Sequence, residues 1–157
     1  MNKMENEPTA LVLDPNEGDV LNFVGISTRI KVRSEATNGA WTLIESTVEP
    51  YFPGFKLHTH HRMTETFYIL EGTLAVQLGE QIVQANAGAL IVVPPGVWHT
   101  YSNPSDVPAK YLLFMSPGGF EKYLEGLAEM IRTEPHWPPA DKTKLNALAE
   151  KYDATPA

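Results

Sequence analysis

The segment HTHHRMTETFYILEG, residues 58 to 72, sets three histidines and a glutamate within eight positions and closes on a glycine. Imidazole nitrogens and carboxylate oxygens are donors that divalent cations accept, and a chain without cysteine offers no thiolate in their place. In an extended strand residues two apart point the same way, so His58 and His60 project together while Thr59 and His61 face away. Glu65 opens the next extended run after the bend Arg62-Met63-Thr64 and can return a carboxylate to the same side. Two imidazoles and a carboxylate resemble the facial set used for redox-active iron and related divalent metals. His61, turned away from the pair, and His136, set among prolines, read as solvated side chains, and Glu71 beside a glycine turn reads as a solvated charge.

A second segment, GALIVVPPGVWHTYSN, residues 88 to 103, adds another donor. A strand enters Pro94-Pro95-Gly96, turns, and leaves with Val97, His99 and Tyr101 on one face. Taken alone, His99 would serve as well as a buried core histidine. Beside the first segment, an inward histidine two positions from an inward tyrosine points to a lined cavity. Phe67 and Ile69, which follow Glu65 at even spacing, and Val97 and Tyr101, which flank His99, would give that cavity walls suited to an apolar or aromatic substrate, although such residues would equally line the core of any barrel.

Short runs of β-branched and aromatic residues separated by Gly, Pro and Asn must carry these side chains, a pattern that favours an all-β barrel or sandwich. Strands are expected over residues 21–26, 28–33, 41–47, 64–70, 73–78, 81–85, 89–94 and 109–115. In TLAVQL, Leu74, Val76 and Leu78 share one face opposite Thr73, Ala75 and Gln77, and Gly79-Glu80 fits a two-residue hairpin turn. The period changes after residue 116: Phe120, Tyr123, Leu124, Leu127, Met130 and Ile131 recur at helical spacing. A second helix is expected from Asp141 as N-cap to Tyr152, burying Leu145, Leu148 and Tyr152, with both helices packed on the barrel exterior or on a partner subunit.

Composition excludes several partners. Nineteen acidic against 12 basic residues leave a formal net charge of −7, which repels nucleic-acid phosphates and anionic bilayers. Glu5 and Glu7 interrupt the apolar stretch a secretory signal needs, and AGALIVV is too short to span a membrane, so a cytoplasmic protein is expected. The 157 residues suit a single domain, 1–157, with a barrel core over about 20–116 and a helical extension over about 117–157.

Together the two segments resemble the paired motifs of the cupin superfamily. The first, His-x-His, three or four residues, Glu, six residues, Gly, is met by His58, His60, Glu65 and Gly72. The second, Gly, five residues, Pro-x-Gly, two residues, His, three residues, Asn, is met by Gly88, Pro94, Gly96, His99 and Asn103. The leading glycine of the first motif is replaced by Phe52, with Gly54 two positions later. The resemblance implies a double-stranded β-helix (jelly-roll) barrel in which His58, His60, Glu65 and His99 bind one divalent ion: iron(II), nickel, manganese, cobalt, copper or zinc. Homodimers are the usual state of the family, and the apolar N-terminal strands and C-terminal helices offer surfaces for one. The turn Ser116-Pro117-Gly118-Gly119-Phe120-Glu121 resembles small bacterial quercetin dioxygenase-like members. That likeness implies an oxygenase for an enolisable or aromatic, flavonol-like substrate, with Glu65 as proton acceptor. A non-catalytic binding module is the alternative. A sugar isomerase or epimerase is disfavoured, because no basic cluster is present for a phosphate or nucleotide.

Overall fold

The computed structural model describes residues 9–157, and the acidic stretch with Glu5 and Glu7 lies outside them. In chain order the strands are β1 (Asp19–Phe23), β2 (Ile26–Val32), β3 (Thr42–Val48), β4 (His58–Thr59), β5 (Thr64–Glu71), β6 (Thr73–Leu78), β7 (Gln81–Asn86), β8 (Leu90–Val93), β9 (His99–Ser102), β10 (Ala109–Ser116) and β11 (Thr155–Pro156). Helices α1 (Glu121–Thr133) and α2 (Thr143–Lys151) precede β11. Two antiparallel sheets form, ordered β1-β2-β3-β10-β5-β8 and β11-β4-β9-β6-β7. The chain is an all-β jelly-roll barrel with C-terminal helices.

Strict alternation builds the interior. In β3 every second residue, Thr42, Ile44, Ser46 and Val48, is buried, and the same holds for Ala109, Tyr111, Leu113 and Met115 of β10. Leu74 and Val76 of β6 are almost completely buried, as their spacing predicts, and Ala75 is covered as well. Leu74→Ala is therefore expected to cost about 2–5 kcal/mol of unfolding free energy in urea titration, the range for emptying a buried leucine site. An unchanged midpoint would place Leu74 outside the core.

The expected strand over residues 21–26 breaks in two. Val24-Gly25 forms the turn of a hairpin, with Phe23 paired to Ile26. Gly25 adopts φ +79°, and a Cβ there would stand 2.7 Å from the Phe52 ring, so packing and backbone both demand glycine where hydropathy alone suggests continuity. Strands β4 and β11 had no signal of their own, since two-residue strands are too short for alternation to show. Helix α2 begins at Thr143 rather than just after Asp141, whose carboxylate nevertheless accepts the Thr143 amide at 2.9 Å. Ala149 is its buried residue, while Leu145, Leu148 and Tyr152 are half-buried.

Glu121, at the start of α1, is completely buried. One carboxylate oxygen accepts the Ser34 amide and hydroxyl; the other accepts the Thr42 hydroxyl at 2.6 Å and the Gly119 amide at 2.9 Å. Burial opposes ionisation, yet these donors outweigh it and hold the carboxyl below its ordinary range. A carboxylate whose pKa is depressed by folding contributes stability above its unfolded value and loses it as pH falls through the folded value. Acidification below about pH 4 should lower the urea midpoint of the wild type, and the drop should be smaller in Glu121→Gln. Equal slopes in both proteins would remove Glu121 from the acid response.

Candidate metal centre and its cavity

Three histidines each commit one ring nitrogen to the backbone. His58 Nδ1 lies 3.0 Å from the Lys56 carbonyl oxygen, His60 Nδ1 2.7 Å from that of Asp153, and His99 Nδ1 2.9 Å from that of Val97. A carbonyl only accepts, so each Nδ1 donates, and a neutral ring is left with its lone pair on Nε2. This is the tautomer that a metal-binding histidine needs.

One donor atom from each of His58, His60, Glu65 and His99 lies within 4.8 Å of the others. Ligands about 2.1 Å from one ion stand roughly 3–4 Å apart, so the set needs only a slight contraction to share a cation. Two details test the fit. His60 Nε2 is buried without a hydrogen-bond partner and stands 3.7 Å from Glu65 Oε2. An unsatisfied buried acceptor costs about 1–3 kcal/mol, which a cation at this point would relieve. His99 Nε2 lies 2.7 Å from Glu65 Oε2. These two atoms are both acceptors in the neutral ring, so they can meet only across a shared cation, either a proton or a metal ion. The donor set fits a divalent ion.

Electrostatics agree with the geometry. Burial, with His99 adjacent, pushes His58 down to about 4, which keeps its lone pair free at neutral pH. Burial would raise the Glu65 carboxyl, but the His99 hydrogen bond and the neighbouring His60 and His58 hold it low, as an anion. His99 is moved the other way: burial alone would lower it, and contact with the Glu65 carboxylate raises it.

Strand register brings the donors together. β4 pairs with β9 so that His58 stands opposite His99. Glu65 reaches them from the facing sheet, between Val93 and Met115. The C-terminal segment holds β4 from its other side, with Thr155 paired to Thr59 and Pro156 to His58. Asp153 ties this arrangement down. Its carbonyl holds His60, and its carboxylate accepts the amides of His61, Arg62 and Met63 at 2.9, 2.9 and 3.1 Å. Nothing in the local sequence marks Asp153, which lies 93 residues from His60.

The polar residues set aside in the sequence lie apart from the cluster. His61 is exposed, with Nε2 2.9 Å from the Thr155 hydroxyl. His136 is exposed too, and Glu71 forms an exposed ion pair with Lys110. Phe52 fills the core, and two residues on Gly54, at φ +99°, brings the backbone so close to β9 that a Cβ would stand 2.8 Å from the Tyr101 carbonyl oxygen.

A cavity of about 640 Å³ opens from His58, Glu65 and His99. Phe67 and Tyr101 line it; Ile69 and Val97 do not. Ile69 sits four residues along β5 from Glu65, about 13 Å away, fully buried in the hydrophobic core. Val97 packs against that core and serves the site through its carbonyl oxygen. Much of the remaining wall is helical: Phe120, Tyr123, Leu127 and Ile131 of the α1 region and Leu145 and Ala149 of α2. The helices thus wall the cavity rather than pack only on the barrel exterior or a partner, because the apolar stripe of α1 has the open barrel end to cover. Phe120 also meets the His60 ring edge-on, centroids 5.1 Å apart.

A cupin domain model matches residues 44–115. The chain is 31% identical over 118 residues to quercetin 2,3-dioxygenase of Bacillus subtilis strain 168, covering 75% of this chain and 34% of that protein. It therefore spans about a third of that relative's length. Among solved structures, KdgF from Halomonas sp. superposes with a TM-score of 0.64 at 16% identity over 73% of this chain and 99% of its own. The polyketide cyclase RemF from Streptomyces resistomycificus gives 0.62 at 16% identity, over 69% and 80%. The residues that the cupin model matches include all four donors, His58, His60, Glu65 and His99, so this stretch of the chain is a cupin domain.

Proposed function

We propose that this protein is a metal-dependent oxygenase acting on a small enolisable or aromatic substrate, with one divalent ion per chain held by His58, His60, Glu65 and His99. The observation that carries the reading is His60 Nε2, a buried lone pair without a partner, aimed into a donor cluster at the head of a largely apolar cavity. A divalent ion held there would supply Lewis acidity, and a redox-active one such as iron, manganese or copper would also supply electron transfer. The rest of the chemistry belongs to the chain. Phe67, Phe120 and Tyr123 line the cavity, offer aromatic surface to a planar ligand and help to exclude water. Glu65, buried and anionic, accepts the proton of an enolic hydroxyl that enters beside His99. The 31% identity to a quercetin 2,3-dioxygenase supports a flavonol-like substrate class.

A binding module without turnover is the second reading, favoured by the way α1 and α2 close over the cavity. A homodimer is part of both readings, supported by the outward apolar side chains of Leu11, Val12 and Val20. No helix among the described residues is long and apolar enough to cross a membrane.

The test is oxygen consumption by protein loaded in turn with iron, nickel, manganese, cobalt, copper and zinc, with flavonols and other enolisable aromatics as substrates. Uptake with at least one metal form is expected. If every form binds such compounds and none consumes oxygen, the binding module takes the place of the oxygenase. Chelation of the same protein should lower the melting temperature without loss of secondary structure at room temperature, because the barrel core packs without metal ligands.

A further inference from the structure

The barrel interior contains a row of buried hydroxyls. Thr28 of β2 stands directly opposite Ser46 of β3, and Ser46 directly opposite Tyr111 of β10. Thr28 Oγ1 and Ser46 Oγ are 2.8 Å apart, and the Tyr111 hydroxyl lies 2.6 Å from the Tyr101 hydroxyl on β9 of the facing sheet, while strand register sets Ser46 beside Tyr111 and joins the two pairs into one row. All four residues are buried. Their inward neighbours on the same strands include Ile26, Ile30, Ile44, Val48, Leu113 and Met115, so the row is a polar seam across an otherwise apolar lining.

Proton counting gives the seam a use. Four hydroxyls carry four protons, and the contacts along the row consume three at most, two of them at 2.8 and 2.6 Å. These side chains have no hydrogen-bond partner outside the row among the described residues, so at least one donor is left over. In a row polarised in one direction the surplus proton emerges at an end, either Thr28 or Tyr101, and both ends line the cavity together with Tyr111. Each hydroxyl oxygen also keeps accepting capacity, so the row can answer a ligand that donates or one that accepts. Tyr101 lies two residues along β9 from His99, about 7 Å at strand spacing, which is the span of one to two fused or linked aromatic rings.

We propose that the Thr28–Ser46–Tyr111–Tyr101 row is a second recognition subsite, which binds a phenolic or carbonyl oxygen of an aromatic ligand whose first oxygen lies at the histidine cluster. This rests on the aromatic-ligand reading of the cavity and is independent of whether oxygen is consumed. It selects substrates with oxygens at both ends of a flat apolar body, because a ligand lacking the distal oxygen would leave the surplus donor buried and unanswered.

Calorimetric titration under nitrogen with 3-hydroxyflavone and its 4′-hydroxy counterpart tests the subsite on the purified protein. The wild type should bind the distally hydroxylated compound about tenfold more tightly, the size of one net hydrogen bond. Either the double variant Tyr101→Phe with Tyr111→Phe, or Thr28→Val, should reduce that preference below about threefold while leaving the affinity for 3-hydroxyflavone within about threefold of wild type. A row that only stabilises the fold would lower the melting temperature without touching the preference. Where the double variant does not fold, the two single phenol variants replace it. Equal binding of the two flavones by the wild type, no binding of either, or a preference that survives in every variant overturns the proposal. A preference that is present and lost as stated, with no oxygen uptake in any metal form, leaves the subsite standing and removes only the oxygenase reading.

Discussion

His99→Ala is expected to reduce metal affinity by more than about 100-fold, while His61→Ala, only three positions from His58 in sequence, leaves metal content near that of the wild type. The contrast follows from the geometry. His99 Nε2 reaches Glu65 at 2.7 Å and joins the donor cluster, whereas His61 turns its Nε2 to the Thr155 hydroxyl at the surface. Loss of an outer partner of a metal ligand costs about 10- to 100-fold in affinity, and loss of a donor exceeds it, because a charged ion then sits in a buried site short of one ligand. Elemental analysis after equilibration with a chelator of known affinity reads both variants on one scale. Equal metal loss in the two would mean that the cluster around Glu65 is not the binding site. Circular dichroism guards against a trivial result, since both variants should keep the secondary structure of the wild type.

Glu65→Gln, compared with wild type at full metal occupancy, should slow oxygen consumption by about 10²-fold or more, within the range for removal of a general base. An amide keeps an oxygen that can face the cation, but at neutral pH it cannot accept a proton. Full occupancy matters because the variant also loses a negative charge beside the ion and will bind it less tightly. Reloading with excess metal and measuring content before each assay separates the two effects. If Glu65 only holds the ion, the fully loaded variant turns over at the wild-type rate, and proton acceptance has to be assigned elsewhere. Glu65 is well placed for the role, since it is buried beside His99 yet kept anionic by its histidine neighbours against the cost of burial.

Most of this site was legible in short stretches. Period-2 alternation is a local property, so the common orientation of His58 and His60, the shared face of Glu65, Phe67 and Ile69, the inward face of residues 73–78, and the turn at Pro94-Pro95-Gly96 followed from spacing alone. Cysteine-free composition limited the donors to nitrogen and oxygen, and the helical period after residue 116 located α1. Alternation says which side of a strand is inward but not which strand lies beside it. Register and sheet order are set by contacts among residues tens of positions apart, and they decided that His58 faces His99, that Thr28, Ser46 and Tyr111 fall in one row, and that Ile69 lies in the core below the cavity. Asp153 and Glu121 are the clearest cases: each is an acidic residue near a helix end whose carboxylate is taken up by partners far away in sequence, the amides of His61, Arg62 and Met63 for Asp153, and the Ser34 amide and Thr42 hydroxyl for Glu121. The same holds for the helices. Their amphipathic stripe announced a buried face, but only the barrel's open end, with aromatic and apolar walls left uncovered there, determined that this face would enclose a cavity above the histidines.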